Sequence, residues 1–184
     1  MTNNETGHND TSAAEEVTVH VTRLEMVSPS SVAVPVPAGI RLAIMLAENM
    51  PLHLYRYLYE VIGKPHHWML RRTQSDEVVS TIIKAEETRI LLLYVDGCPA
   101  GFAEMHLNLP ESVDLHYFGL VPDYQGRGLA KFFFSEVLAA AWSHNPQKLW
   151  LETNTLDSPR ALQLYQRMGF APVSTAEEVI TLWK

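Results

Sequence analysis

The sequence has one cysteine, Cys98, in 184 residues. One thiol cannot close an internal disulfide, which fits a reducing compartment. Long apolar runs are missing too. The most apolar early stretch, Ser31 to Ile62, is broken by Pro35, Pro37, Arg41, Glu48 and Pro51, so no membrane span is expected. The opening MTNNETGHND is polar, without a basic start and an apolar block, and does not read as a secretory signal. The expected location is cytoplasmic, with no membrane partner.

Positive charge is scarce. Fourteen Lys and Arg face 21 Asp and Glu, for a formal charge of −7. Glu5, Asp10, Glu15 and Glu16 carry four of those negative charges, so the chain beyond residue 16 is near −3. No dense basic stripe appears, which argues against nucleic acid as a partner. A mildly acidic surface favours a cationic ligand.

What is present fits one globular domain with an ample core, since 47% of the residues are hydrophobic. Residues 1–16 read as a disordered tail and 17–184 as the folded domain. Residues 17–26 alternate apolar and polar, a strand pattern. Residues 28–39 form a Pro- and Ser-rich connector. A short helix is expected over 41–49 and a longer one over 51–63, with Gly63 at its end. Residues 64–73 read as a loop. Ser75 can cap a helix running to residue 87, with acids in its first turn.

Strands follow. Two apolar runs flank the turn at Asp96 and Gly97 and predict a hairpin. Residues 112–122 predict another strand and 126–145 a helix opening on glycines. A strand over 148–155, a helix from Asp157 or Ser158 to Gly169 and a terminal strand around 179–183 complete the chain. This order predicts an α+β fold, a mixed sheet with helices on both faces.

The chemistry concentrates in two segments. In the first, a strand stops at Pro122 and Gln125-Gly126-Arg127-Gly128-Leu129-Ala130 opens a helix. Glycines let a ligand approach the backbone, and first-turn N–H groups suit a pyrophosphate. The Gly-Lys-Ser/Thr ending of a Walker loop is absent, and only two of the three dinucleotide-fingerprint glycines are present. A nucleotide-binding reading therefore fails. The second segment runs LETNTLDSPRALQLYQRMGF, residues 151–170.

Together the segments resemble the two signature motifs of the GNAT superfamily of N-acetyltransferases. Gln125, Gly128 and Ala130 match the first motif. Ala161, Tyr165, Gly169 and Phe170 match the second, while Ser158 stands where that motif has Asn. The resemblance spans roughly 17–184 and implies a splayed sheet. It implies acetyl-coenzyme A as co-substrate, no metal, and direct transfer to a primary amine on a small molecule or peptide. A homodimer is compatible with it.

The resemblance also implies roles. The coenzyme's pantetheine arm would meet the strand near Phe118 and Leu120. Its pyrophosphate would rest on residues 125–130, and Ser158, at the Asn position of the second motif, would also contact the coenzyme. Tyr165 matches the general acid. Asp114 has the position of a general base, and His116 the better pKa for one at neutral pH. Strict alternation puts Asp114, His116 and Phe118 on one face. Glu104 and Glu152 are weaker alternatives. His67, Trp68 and Arg71 fall in the acceptor loop, where Arg71 or Arg72 would clamp a carboxylate. A non-catalytic acyl-coenzyme A sensor is the reading from another class.

Overall fold

A computed structural model describes residues 15–183. The expected disordered tail lies almost wholly outside the described residues. Seven strands form one sheet: β1 (Glu16–Met26), β2 (Leu42–Leu46), β3 (Thr88–Val95), β4 (Cys98–Asn108), β5 (Ser112–Leu120), β6 (Lys148–Asn154) and β7 (Ala171–Thr181). Their spatial order is β2-β3-β4-β5-β6-β1-β7. All neighbours are antiparallel except β5 and β6, which run parallel.

Helices cover both faces, as the sequence predicts. On one face lie α1 (Leu52–Gly63), α2 (Leu70–Thr73) and α3 (Asp76–Ile83). Tyr55, Leu58, Tyr59 and Ile62 recur at helical spacing on α1 and bury against Ile90, Leu92 and Phe102. Ser75 caps α3 by accepting from the Val78 N–H at 3.4 Å. On the other face lie α4 (Leu129–Trp142) and α5 (Ala161–Arg167). There Phe133, Phe134, Val137 and Tyr165 pack with Leu91, Met105, Leu115 and Leu151. Adjacent residues of β3 thus feed opposite cores, as strand pleating requires.

Residues 42–46 do not form the expected helix. They form β2 and pair with Leu91–Val95 at the sheet edge. Five apolar residues fit either period, so tertiary pairing decides. Two helices are shorter than expected. Gly126 and Gly128, with φ of 74° and 77°, delay the start of α4 to Leu129. After Ile83, turns ending in the Ala85 N–H to Ile82 carbonyl bond close α3. The terminal strand is longer than expected, because β1 lies between β6 and β7 and pairs with β7 over Glu16–Glu25.

Candidate active site

The site begins where two strands part. Ser112–Leu115 of β5 pairs with Lys148–Leu151 of β6, and the pairing ends there. Beyond Leu115 and Leu151 the parallel strands diverge, and a cavity of about 200 Å³ opens between them. From the α4–α5 face it is lined by Phe118, Phe134, Ser158, Ala161 and Tyr165. From the α1 face it is lined by His66, Trp68, His116 and Tyr117, and β6 adds Glu152 and Asn154. The opening therefore joins the two faces of the sheet.

A β-bulge shapes its β5 wall. Met105 pairs with Leu115 and Glu104 with Tyr117, leaving His116 as the extra residue. Strict alternation consequently fails. Leu115 and Phe118 both meet the core under α4, whereas Tyr117 packs on Tyr59 and Trp68 on the opposite face. The expected shared face of Asp114, His116 and Phe118 does not exist.

The base candidates separate accordingly. Asp114 is buried and does not line the cavity. Its oxygens accept from Asn108 Nδ2 at 2.5 Å and Ser112 Oγ at 2.7 Å. His116 does line it, with its ring stacked parallel to His106 at 5.9 Å. Behind His116 Nδ1, at 3.7 Å, stands Glu104 Oε1.

Glu104 is the centre of a buried network. Arg71 donates to Oε1 at 2.7 Å and the Tyr55 hydroxyl to Oε2 at 2.5 Å. Burial opposes charge on this carboxyl, but His116, Arg71 and Tyr55 outweigh it and hold its pKa below the usual carboxylate range. Arg71 is only 5% exposed and does not line the cavity. It is committed to Glu104 and Tyr55 and does not stand free as a clamp for an acceptor carboxylate.

His67 is likewise diverted. Its backbone is left-handed, at φ 54°, and its Nδ1 accepts from the Trp183 N–H at 2.8 Å. Residues 64–73 are thereby tied to the chain just beyond β7, and Arg72 lies 4.4 Å over the Trp183 ring. Trp68 remains in the cavity wall and is joined there by His66, whose Nδ1 lies 3.2 Å from the Leu156 carbonyl. Nothing in the sequence pattern distinguishes His66 from His67, since a 3₁₀ turn over Lys64–His66 sets their opposite directions.

Tyr165 is buried at the cavity's inner end, with its ring 5.1 Å from that of Phe134. Burial, with Asp157 adding to it, raises its pKa above that of a free tyrosine. Its hydroxyl therefore holds its proton more tightly than a free tyrosine does. Asp157 is itself anchored, accepting from Thr153 Oγ1 at 2.8 Å and the Asn154 N–H at 3.0 Å.

The glycine-led loop stands at the exposed start of α4. Both glycines have positive φ, and the space where a Cβ would stand is open at each. Among the described residues, the N–H groups of Gly126, Arg127 and Gly128 form no hydrogen bond with a backbone carbonyl outside helices and strands. These amides fit an anionic diphosphate. Leu129 and Ala130 open the helix, Leu129 buried beneath it. The Gln125 side chain turns back and donates to the Leu120 carbonyl at 3.0 Å. Leu120 is buried and outside the cavity lining, whereas Phe118 lies in it.

A mixed sheet opened between parallel neighbours, beside a glycine-led helix start, is the fold of an acetyltransferase. Residues 53–170 match the family model described as the acetyltransferase (GNAT) family, and the chain belongs to that family. No curated protein matches the chain in sequence. Solved structures do resemble it. A GCN5-related N-acetyltransferase from Sphaerobacter thermophilus superposes with TM-score 0.65 at 16% identity, over 89% of this chain and 52% of that one. A GNAT-family acetyltransferase from Novosphingobium aromaticivorans gives 0.60 at 15%, over 89% and 63%. This chain thus spans only about half to two thirds of those two. The aminoglycoside N-acetyltransferase AAC(6')-Iy, in complex with CoA, gives 0.55 at 21%, over 82% and 99%. At these identities the likeness is one of fold. No helix among the described residues is long and apolar enough to cross a membrane.

Proposed function

We propose that the protein transfers the acetyl group of acetyl-coenzyme A directly to a primary amine. One observation carries the reading. The strands part after Leu115 and Leu151, and the cavity between them collects a proton donor, Tyr165, and a proton acceptor, His116. A cleft used only for binding would not require both.

When bound, the coenzyme supplies the acyl group as a thioester. The amides of residues 126–130 would hold its diphosphate, and the β5 edge near Phe118, with Ser158 opposite, would flank its arm. The acceptor amine must shed a proton to attack. His116 takes it, and the Glu104 carboxylate 3.7 Å behind stabilises the resulting imidazolium. Arg71 and Tyr55 fix Glu104 and keep it ionised. Tyr165 holds its proton for the departing sulfur.

The test is release of free thiol from acetyl-coenzyme A, followed with a panel of primary amines. Amine-dependent release with a matching acetylated product is expected. Tight coenzyme binding without release from any amine would leave an acyl-coenzyme A sensor.

A further inference from the structure

If the proposed transfer reaction holds, the charges lining the cavity bear on which amine can enter it. None of the residues lining it is Lys or Arg, while Glu152 and Asp157 both are carboxylates. The cations that could have neutralised it are held elsewhere. Arg71 is buried against Glu104. Arg23 is paired in register with Glu152, yet its guanidinium stacks 3.9 Å over the Trp150 ring and lies 3.6 Å from Glu25. Among the described residues, Glu152 is exposed and its carboxylate joins no hydrogen bond or ion pair within the chain.

Aromatic faces strengthen the bias. Trp68 stands in the same wall, and such a ring attracts cations, while the Tyr117 ring beside it already faces the Arg71 guanidinium at 5.5 Å. A carboxylate placed here would meet two like charges and no compensating donor of full positive charge.

We propose that the acceptor is a polycationic amine, a diamine or longer polyamine. One nitrogen reacts beside His116, while a second ammonium is held by Glu152. Amines bearing a carboxylate near the reacting end, free amino acids among them, are rejected by the same charges.

Three acceptors of equal length separate the possibilities: 1,5-diaminopentane, pentylamine and 5-aminopentanoate. Each is measured for turnover with acetyl-coenzyme A and, independently, for binding to the coenzyme A-loaded protein by calorimetry. The expected order in both is diamine, then monoamine, then amino acid. Glu152→Gln should reduce the diamine-to-monoamine ratio of kcat/KM and of affinity by about 2–5-fold, the scale of one solvent-accessible charge contact. Glu152→Lys should reverse the preference toward 5-aminopentanoate. Circular dichroism of both variants confirms that they fold. Turnover of all three amines at equal efficiency would overturn charge selection and leave acetyl transfer standing. Charge-ordered binding without turnover would do the opposite. Equal binding of the three, or binding of none, would overturn the inference.

Discussion

Tyr165 is legible in the sequence, because its spacing from Ala161 and Gly169 marks one motif. Its environment is not. Burial and Asp157 raise the hydroxyl's pKa above that of a free tyrosine, and only packing reveals that. Phe at this position keeps the ring contact with Phe134 and removes the donor alone. Tyr165→Phe should lower kcat by about 10²–10⁴-fold, as expected for loss of one positioned acid. Coenzyme affinity and melting temperature should stay near normal. Wild-type turnover under chemistry-limited conditions would make Tyr165 a packing residue.

Gly128 is a second residue with a specific consequence. Its φ of 77° is open to glycine, whereas a β-branched residue is strained there. The space around it is empty, so Gly128→Val would act by reshaping the loop and not by collision. Acetyl-coenzyme A affinity, titrated by calorimetry, should fall by about tenfold or more. Unchanged affinity in a folded variant would remove the diphosphate from this loop.

Glu104 is a residue that sequence pattern alone cannot rank. It is one carboxylate among several, and its partners Tyr55 and Arg71 are 49 and 33 positions away. Glu104→Ala leaves a buried guanidinium unpaired and should cost about 3–5 kcal/mol in denaturant unfolding. Because the folded carboxyl titrates below its ordinary value near 4.5, its contribution is complete above that pH. It is lost as pH falls below 4.5 through the folded value. The wild type should therefore lose stability on acidification over that range, and Glu104→Ala should lose less. Equal losses would place the acid sensitivity elsewhere.

At the scale of elements, periodicity locates every long helix and every strand except β2 and most of β7. It cannot supply the bulge at His116, since one extra residue leaves the hydrophobic pattern almost intact. That bulge turns His116 and Phe118 to different faces, while Asp114 stays outside the cavity in the stretch of β5 still paired with β6. The role of the chain beyond β7 is equally hidden. Trp183 contacts residues 64–73, the proposed acceptor loop, through His67 and Arg72, more than a hundred positions earlier in the chain. Removing its ring should loosen that loop while sparing the glycine-led helix start. Trp183→Ala should raise the acceptor KM about two- to fivefold, consistent with losing a cation–π contact of about 0.5–1 kcal/mol. A coenzyme Kd that moves as much as the acceptor KM would show that the two ends of the cavity are not independent.

Over the whole molecule, the α+β class follows from element order, but the sheet order does not. The first strand enters between β6 and β7, a long-range pairing that no local pattern encodes. The central claim is that the gap between β5 and β6 receives the coenzyme. Backbone amide hydrogen exchange with and without acetyl-coenzyme A tests this most directly. Added coenzyme should slow exchange at 116–119 of β5 and at 126–130, with little change in β2, β3 or α3. Protection confined to other elements, or none at saturating coenzyme, would contradict the account.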